Sequence, residues 1–443
     1  MRVCSCACVA WLLLGAVSAH ADEGKELGDR LRALYQKLNE RDAKVRGEAA
    51  KALGQLASDL RQAMYRIAVN LDHLDEGVRA QAAETLGEFG PFAEGVIPTL
   101  LKALDDESPV VRGKVISALG AIGPAAKEAV PRFIGFLKDP RRDLRWRAIY
   151  ALSRMGPAAK PAVPALIELL DDPDRPSDHR AVSLSEAAAG AFGYIGPEAK
   201  AAVPALLRGI QEKGNRLKMN AIRSLGRIGA VDDRVVPGLI TVLRDHTDAH
   251  VRGGAAWALG QIGPPGSAAV PLLREILAKR RTEGDDGLLS GAAWALGEMG
   301  PAAKEAVPTL LEVVQDEVVE LSSRDRSVRA LGRLGAVAKE AAKPLIEMLR
   351  GRQHSSLHLT ISSTLVGIGP AAVPALIDAL PETDRNLRKA VLHVLAELGP
   401  AARDAADAVA AARNDLTQRQ DPDGYLGDLA AKTLKRIQRA PPK

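Results

Sequence analysis

The chain has 443 residues, 26% of them charged and 3% aromatic, with a formal net charge of +5. Its length alone suggests about three domains, and its charge is too evenly balanced for a surface that tracks phosphates, so no nucleic-acid partner is expected. All three cysteines stand at Cys4, Cys6 and Cys8, so the rest of the chain has no disulfide, thiolate nucleophile or cysteine-bound metal.

In chain order, Met1-Arg2 is a short charged start, Val9 to Val17 is an apolar run, and Ala19-His20-Ala21 has the small-x-small form of a cleavage site. This is the layout of a secretory signal peptide over residues 1–21. The apolar run is well short of the ~20 residues that cross a bilayer, and no cysteine follows it to take a lipid. The expectation is an exported mature chain from Asp22, periplasmic or extracellular, with no transmembrane segment after cleavage. Removing residues 1–21 takes away Arg2 alone and leaves a net charge of +4. Residues 22–40 are charged and read as an N-terminal cap.

From about Asn39 to Ile437 a single unit recurs. Gly90, Gly123, Gly156, Gly196, Gly229, Gly263, Gly300, Gly335, Gly369 and Gly399 open the same turn, usually as Gly-Pro, at steps of 30 to 40 residues. Such a period marks a stacked array rather than separate globular domains. Counting Ala57 as a degenerate first turn gives about eleven units. Upstream of each turn the apolar positions recur at helical spacing. Leu53, Leu86, Leu119, Leu152, Phe192, Leu225, Leu259, Leu296, Leu331, Leu365 and Leu395 stand four before the turn and read as a buried column. Small residues fill positions seven and eight before it. Glycine recurs three before it, as in Gly54, Gly87, Gly120, Gly226, Gly260, Gly297 and Gly332. Each costs ~1 kcal/mol against alanine inside a helix, a cost that close helix approach should offset.

The turn glycine is expected in a left-handed cap, and the following proline cannot continue the helix. A second proline, as in Pro98, Pro131, Pro164 and Pro204, opens a second helix. The segment between the two prolines reads equally as a short turn or as a kinked part of that helix. Residues 421–443, with a last lone helix over Leu426 to Ile437, read as the C-terminal cap that such an array needs.

The pattern VPxLLxxLxD, a turn, then VRxxAAxALGxIGP resembles the HEAT repeat, in particular the HEAT-like variety of phycobilisome lyases, over nearly the whole chain after residue 22. The resemblance implies an all-α solenoid, a superhelix of helical hairpins. Arg46, Arg79, Arg112, Arg145, Arg252 and Arg388 occupy the family's arginine position, which ties adjacent repeats through acidic side chains. Asp72, Asp106 and Asp245 are suitably placed upstream. Ser185, Lys218, Leu289, Arg324 and His358 stand there in other units, where the ladder is expected to be interrupted, although Arg324 keeps the residue type. The resemblance also implies that the helix before the turn lines the concave binding side.

Each such helix has a neighbour on both flanks, so one ridge stays uncovered, at ten, six and two residues before the turn. Trp146, Tyr150 and Arg154 lie on it in one unit, Arg223 and Arg227 in another. Trp257 and Trp294 follow at minus six in successive units, then Arg329 and Arg333. Trp, Tyr and Arg dominate interface energetics, so these nine residues are the candidate binding surface. The competing reading is that the tryptophans simply cover alanine- and glycine-rich helices.

His246 with His250, and His354 with His358, have i, i+4 spacing that could place two ligands on one helical face. Neither pair carries the HExxH glutamate, and no metal is expected. The loop over 171–179 has four carboxylates but lacks the glycine and terminal glutamate of an EF-hand. The run over 141–147 alternates charge and reads as surface, with an acidic partner as the alternative. No nucleophile elbow, phosphate loop or dinucleotide fingerprint occurs, so neither catalysis nor a cofactor is expected. The leading expectation is a non-enzymatic exported scaffold for a protein or peptide. A lyase-like or chaperone-like handler of a prosthetic group, and a carbohydrate-binding module, are the alternatives.

Overall fold

The computed structural model describes residues 33–34, 36–38, 42–172, 182–212, 215–280, 285–350, 354–415, 421 and 424–439. Residues 1–21, read above as a signal peptide, most of residues 22–40, read as a cap, and nearly all of the 171–179 loop lie outside these residues. The described residues are helical, with no strand among them. They cluster into two compact units, Met1–Ala205 and Leu206–Lys443.

In the first unit the helices are α1 (Ala43–Val69), α2 (Glu76–Glu88), α3 (Ile97–Ala103), α4 (Pro109–Ile122), α5 (Val130–Phe136), α6 (Arg142–Met155), α7 (Val163–Glu168) and α8 (Leu184–Ile195). The series continues with α9 (Val203–Glu212), whose first residues close that unit. The second unit contains α10 (Asn215–Ile228), α11 (Val235–Asp245), α12 (Ala249–Ile262), α13 (Val270–Ala278), α14 (Asp286–Glu298), α15 (Val307–Gln315), α16 (Leu321–Leu334) and α17 (Ala342–Glu347). It ends with α18 (His358–Ile368), α19 (Val373–Ala379), α20 (Arg385–Leu398), α21 (Ala406–Asn414) and α22 (Tyr425–Ile437). Within each unit the even-numbered helices pack side by side in chain order, α2 on α4 on α6 on α8, and α10 through α22. This is the stacked-hairpin fold expected from the repeat.

Six of the even-numbered helices start where a side chain supplies an acceptor for their unpaired N–H groups. Ser108 accepts from the N–H of Val110 and Val111, Ser183 forms a capping box with Glu186, and Asp75, Asp248, Asp285 and Asp384 cap likewise. The column four before the turn is fully buried from Leu86 to Leu395, at 0% exposure in every unit. Burial of each of these side chains contributes ~1.5–3 kcal/mol.

The turn differs from the expected left-handed cap. Gly123 has φ 81° and ψ −142°, and Gly263 has φ 72° and ψ −140°. All ten turn glycines have positive φ. A left-handed helical residue has ψ near +47°, and asparagine tolerates it; the conformation here is open to glycine alone. The segment between the two prolines is separate from the second helix. It is a 3₁₀ segment, for example Gly123–Ala129 or Gly300–Ala306, before an α-helix that starts one residue ahead of the second proline. After Gly229 the turn is irregular, whereas after Gly335, also followed by alanine, the 3₁₀ segment forms.

The eleventh turn, expected at Ala57, does not form. Residue 57 lies inside α1, which runs 27 residues without a break, because alanine cannot take the glycine-only turn and no proline follows. The close approach expected of the minus-three glycines is present from the next unit onward. A Cβ added to Gly87, Gly120, Gly226 or Gly297 would stand 2.8–3.0 Å from the Cα of Ala118, Ala151, Ala258 or Ala330 on the neighbouring helix. At Gly54 the same space is open.

The arginine ladder ties adjacent units through acidic side chains at two arginines and holds backbone carbonyls at others. Arg79 donates through Nη1 to the carbonyls of His73 and Leu74, both at 3.0 Å, and grips Asp106 of the following unit at 2.7 and 3.0 Å. Arg145 likewise reaches forward to Asp172 at 2.8 Å. Arg112, Arg252, Arg324 and Arg388 bond backbone carbonyls of the preceding turn. A helix end leaves carbonyls unpaired, and the guanidinium of the next helix start lies over them. The upstream carboxylates Asp72 and Asp245 are therefore not the grip; carbonyls stand in their place. Where Leu289 replaces the arginine, the side chain is simply buried.

One stretch, Ser355–Ala379, is apolar enough by composition to cross a bilayer. It is four helical pieces with a turn at Gly369, and its Leu365, Ile368 and Leu376 are buried, so it is a core hairpin.

Candidate functional site

The nine candidate residues fall into two groups. In the first unit Trp146 and Tyr150 lie one turn apart on α6, so their rings stack with centroids 5.7 Å apart and planes within 4°. Tyr150 is 50% exposed and Arg154, one further turn along, is exposed. Tyr194 on the adjacent α8 is 59% exposed.

The second group spans four consecutive neighbours, α10, α12, α14 and α16. Trp257 on α12 and Trp294 on α14 occupy the same position in successive units, and the side-by-side packing of those helices brings the indoles together, centroids 4.0 Å apart and planes 29° apart. Glycine makes the room. A Cβ at Gly260 would collide with the Trp294 ring, and one at Gly291 would sit 3.1 Å from the Trp257 edge. The rings therefore lie across the neighbouring helices, stacked on each other, and are partly exposed. Both readings of the tryptophans find support here: they cover glycine, and they remain accessible.

The flanks are basic. Arg223 and Arg227 are exposed on α10, a helix that with α12 carries no carboxylate at all. On α16, Arg329 is exposed and pairs with Asp325 at 2.7 Å, and Arg333 pairs with Glu298 of α14. The Cζ of Arg326 stands 5.1 Å from the Trp257 centroid, a cation–π contact. Sequence reasoning missed Arg326, which sits one position off the chosen ridge. It also missed the notch at Gly291, although glycine nine before the turn occurs only in the units of Trp257 and Trp294, as Gly254 and Gly291.

The histidine pairs do not share a helical face. His246 ends α11 with extended backbone and His250 lies in α12. His354 precedes the short turn before α18, and His358 opens that helix. His246 accepts the Asp248 N–H at 3.0 Å, and Arg324 stands 3.4 Å from His354. Among the described residues no cluster of three or more His, Cys, Asp or Glu could hold a metal. An open hollow beside Gln315, Lys343 and His354 contains Arg350. Hydrogen bonds that it donates to Glu382 and then Glu347 hold that guanidinium's pKa well above its ordinary value, so its charge is already matched.

Models of the HEAT repeat match residues 31–106, 97–185 and 229–284, and a model of the PBS lyase HEAT-like repeat matches residues 288–316. Comparison with curated proteins by sequence finds no match. Among solved structures, the Kap95:Nup1 complex aligns at TM-score 0.50 and 13% identity, over 96% of this chain and 64% of the matched one. The karyopherin Kap121p bound to the SUMO protease Ulp1p gives 0.50 and 15%, over 90% and 49%. The complex of CpcE and CpcF of phycocyanin lyase from Nostoc sp. PCC7120 is 25% identical at TM-score 0.34, over 60% of this chain and 92% of the matched one. The chain thus spans about half to two thirds of the length of the karyopherins it matches. The matched repeats cover more than half of the sequence and the stacked hairpins fill its described remainder: the chain belongs to the HEAT-repeat family.

Proposed function

We propose that the mature chain is an exported, non-enzymatic scaffold that binds a protein or peptide along the ridge of its even-numbered helices. The observation that carries this reading is the Trp257–Trp294 pair, stacked across Gly260 and Gly291, partly exposed, with arginines on both flanks. A large rigid aromatic platform ringed by donors is the composition of an interface anchor. The fold is one in which Kap121p holds a protein partner. Export rests on the signal-peptide layout of residues 1–21.

The test is capture from cell-envelope extracts by residues 22–443, compared with a Trp257→Ala, Trp294→Ala double variant whose helicity is checked by circular dichroism. A partner retained by the parent and lost by the folded variant supports the reading; equal capture by both refutes it. The match of a PBS lyase HEAT-like repeat to residues 288–316 includes Trp294, which favours prosthetic-group handling as the second reading. Visible absorbance co-purifying with the protein would select it.

A further inference from the structure

The charge around the tryptophan pair is lopsided. Arg216, Arg223 and Arg227 project from α10, and Arg326, Arg329 and Arg333 from α16, while the carboxylates of α14 and α16 are Asp286, Glu298 and Asp325. Glu298 and Asp325 pair with Arg333 and Arg329 of α16, and Asp286 accepts from Ser322 and Ser323. Between the two basic helices lie α12, which carries no carboxylate, α14, which carries Asp286 and Glu298 at its two ends, and the indoles. The chain as a whole is nearly neutral, so this excess of positive charge is local rather than a property of the composition.

We infer that this stretch of the second unit takes an acidic linear segment of a protein partner, with an apolar side chain on the Trp257–Trp294 platform and carboxylates reaching the arginines of α10 on one flank and α16 on the other. The inference rests on the ridge-binding reading above and adds the chemistry of the partner. Arginine matches carboxylates with a planar fork of donors, and Arg326 over Trp257 places a guanidinium at the edge of the apolar seat. Opposite charge on the partner also speeds and orients encounter.

Geometry sets the spacing of the motif. Packed helices lie ~8–10 Å apart, so three steps from α10 to α16 cover roughly 27 Å. At ~3.3 Å per extended residue that distance is about eight residues. The segment therefore carries acidic positions about eight residues apart with an apolar residue midway, lying across the helices.

The experiment uses the mature chain and fluorescein-labelled nine-residue peptides with two glutamates at each end, a central leucine and Gly/Ser spacers. One control replaces the glutamates by lysine and another the leucine by glycine. The acidic peptide is expected to bind at least ~10-fold tighter than either control, and its affinity to fall as salt rises. Arg223→Glu with Arg227→Glu, exposed substitutions that leave the buried columns intact, is expected to erase or reverse the preference. Equal binding of the lysine peptide, an unchanged preference in the reversal variant, or tighter binding of a thymidine oligonucleotide overturns the inference. Selection of a random displayed-peptide library on the parent chain, with counter-selection on the tryptophan double variant, separates the two levels of the reading. Tryptophan-dependent binders that are neutral or basic overturn the acidic assignment and leave ridge binding standing. If no binder depends on the tryptophans, both readings fail.

Discussion

Replacing glycine by alanine in one column of the repeat should have opposite effects at two positions. In α4, a Cβ on Gly120 would stand 2.8 Å from both the Cα and the Cβ of Ala151 on α6. Non-bonded carbons sit best at ~3.5–4.0 Å, so the helices would have to part by roughly 0.7 Å or more. Because the obstacle includes backbone, no rotamer change relieves it, and overpacking of this kind costs ~1–3 kcal/mol. Alanine's better helix propensity returns up to ~1 kcal/mol, and less here because Gly120 lies in the last turn of α4. The net expectation for Gly120→Ala is a loss of about 1–2 kcal/mol. Ala151→Gly should recover only part of it, since the Ala151 Cα is itself in the way. Gly54 stands in the middle of α1 with nothing within 4 Å of its would-be Cβ, so Gly54→Ala should stabilise by ~0.4–1 kcal/mol.

Urea unfolding followed by circular dichroism gives the ordering. Hydrogen exchange over α4 and α6, and separately over α1, localises it, since long repeat arrays need not unfold in one step. If Gly120→Ala proved as stable as the parent, or Gly54→Ala less stable, the close-approach explanation of the column would be wrong.

Leu259→Ala empties a fully buried site on α12 and should cost ~2–5 kcal/mol, read as lost exchange protection in α12 and α14. Gly123→Ala forces a side chain into φ 81°, ψ −142° and should destabilise by ~1–3 kcal/mol, and Gly123→Asn should not rescue it, which equilibrium unfolding checks. Burial pushes the Asp106 carboxyl up, but hydrogen bonds from Arg79 and the Ser108 N–H, with the charges of Arg79 and Arg112, outweigh it and hold its pKa below the ordinary value. Its contribution is thus fully present above the unfolded-state pKa of 3.8 and lost as pH falls through the lower folded-state value. Stability measured below pH ~4 should fall more gently in Asp106→Asn. The Trp257–Trp294 stack should give a near-ultraviolet dichroism signal that Trp257→Phe abolishes, and iodide should quench part of the tryptophan fluorescence. A spectrum of wholly protected indoles would contradict the partly exposed platform.

The period of the glycines, the apolar column at minus four and the small residues between them were enough to specify an all-helical stacked array, because each signal is local and repeats ten times. The ridge was legible for the same reason: helical spacing alone says which side chains avoid both neighbours, and Arg223, Arg227, Tyr150 and Arg329 are exposed as that spacing implies. What depends on a neighbouring unit was not legible. The forward reach of Arg79 to Asp106 is set by where the next hairpin's turn falls, and spacing within one repeat cannot give that. The continuity of α1 through Ala57 follows from the absence of any residue able to take the turn, a point that alignment to the other units concealed.

For Trp257 and Trp294, sequence placed two large rings in one column of adjacent helices. Only the tertiary structure decided that they lean across Gly260 and Gly291, stack on each other and receive Arg326 over Trp257. Local periodicity fixes which way a side chain faces, whereas what it touches depends on the close approach of helices that are thirty or more residues apart in the chain.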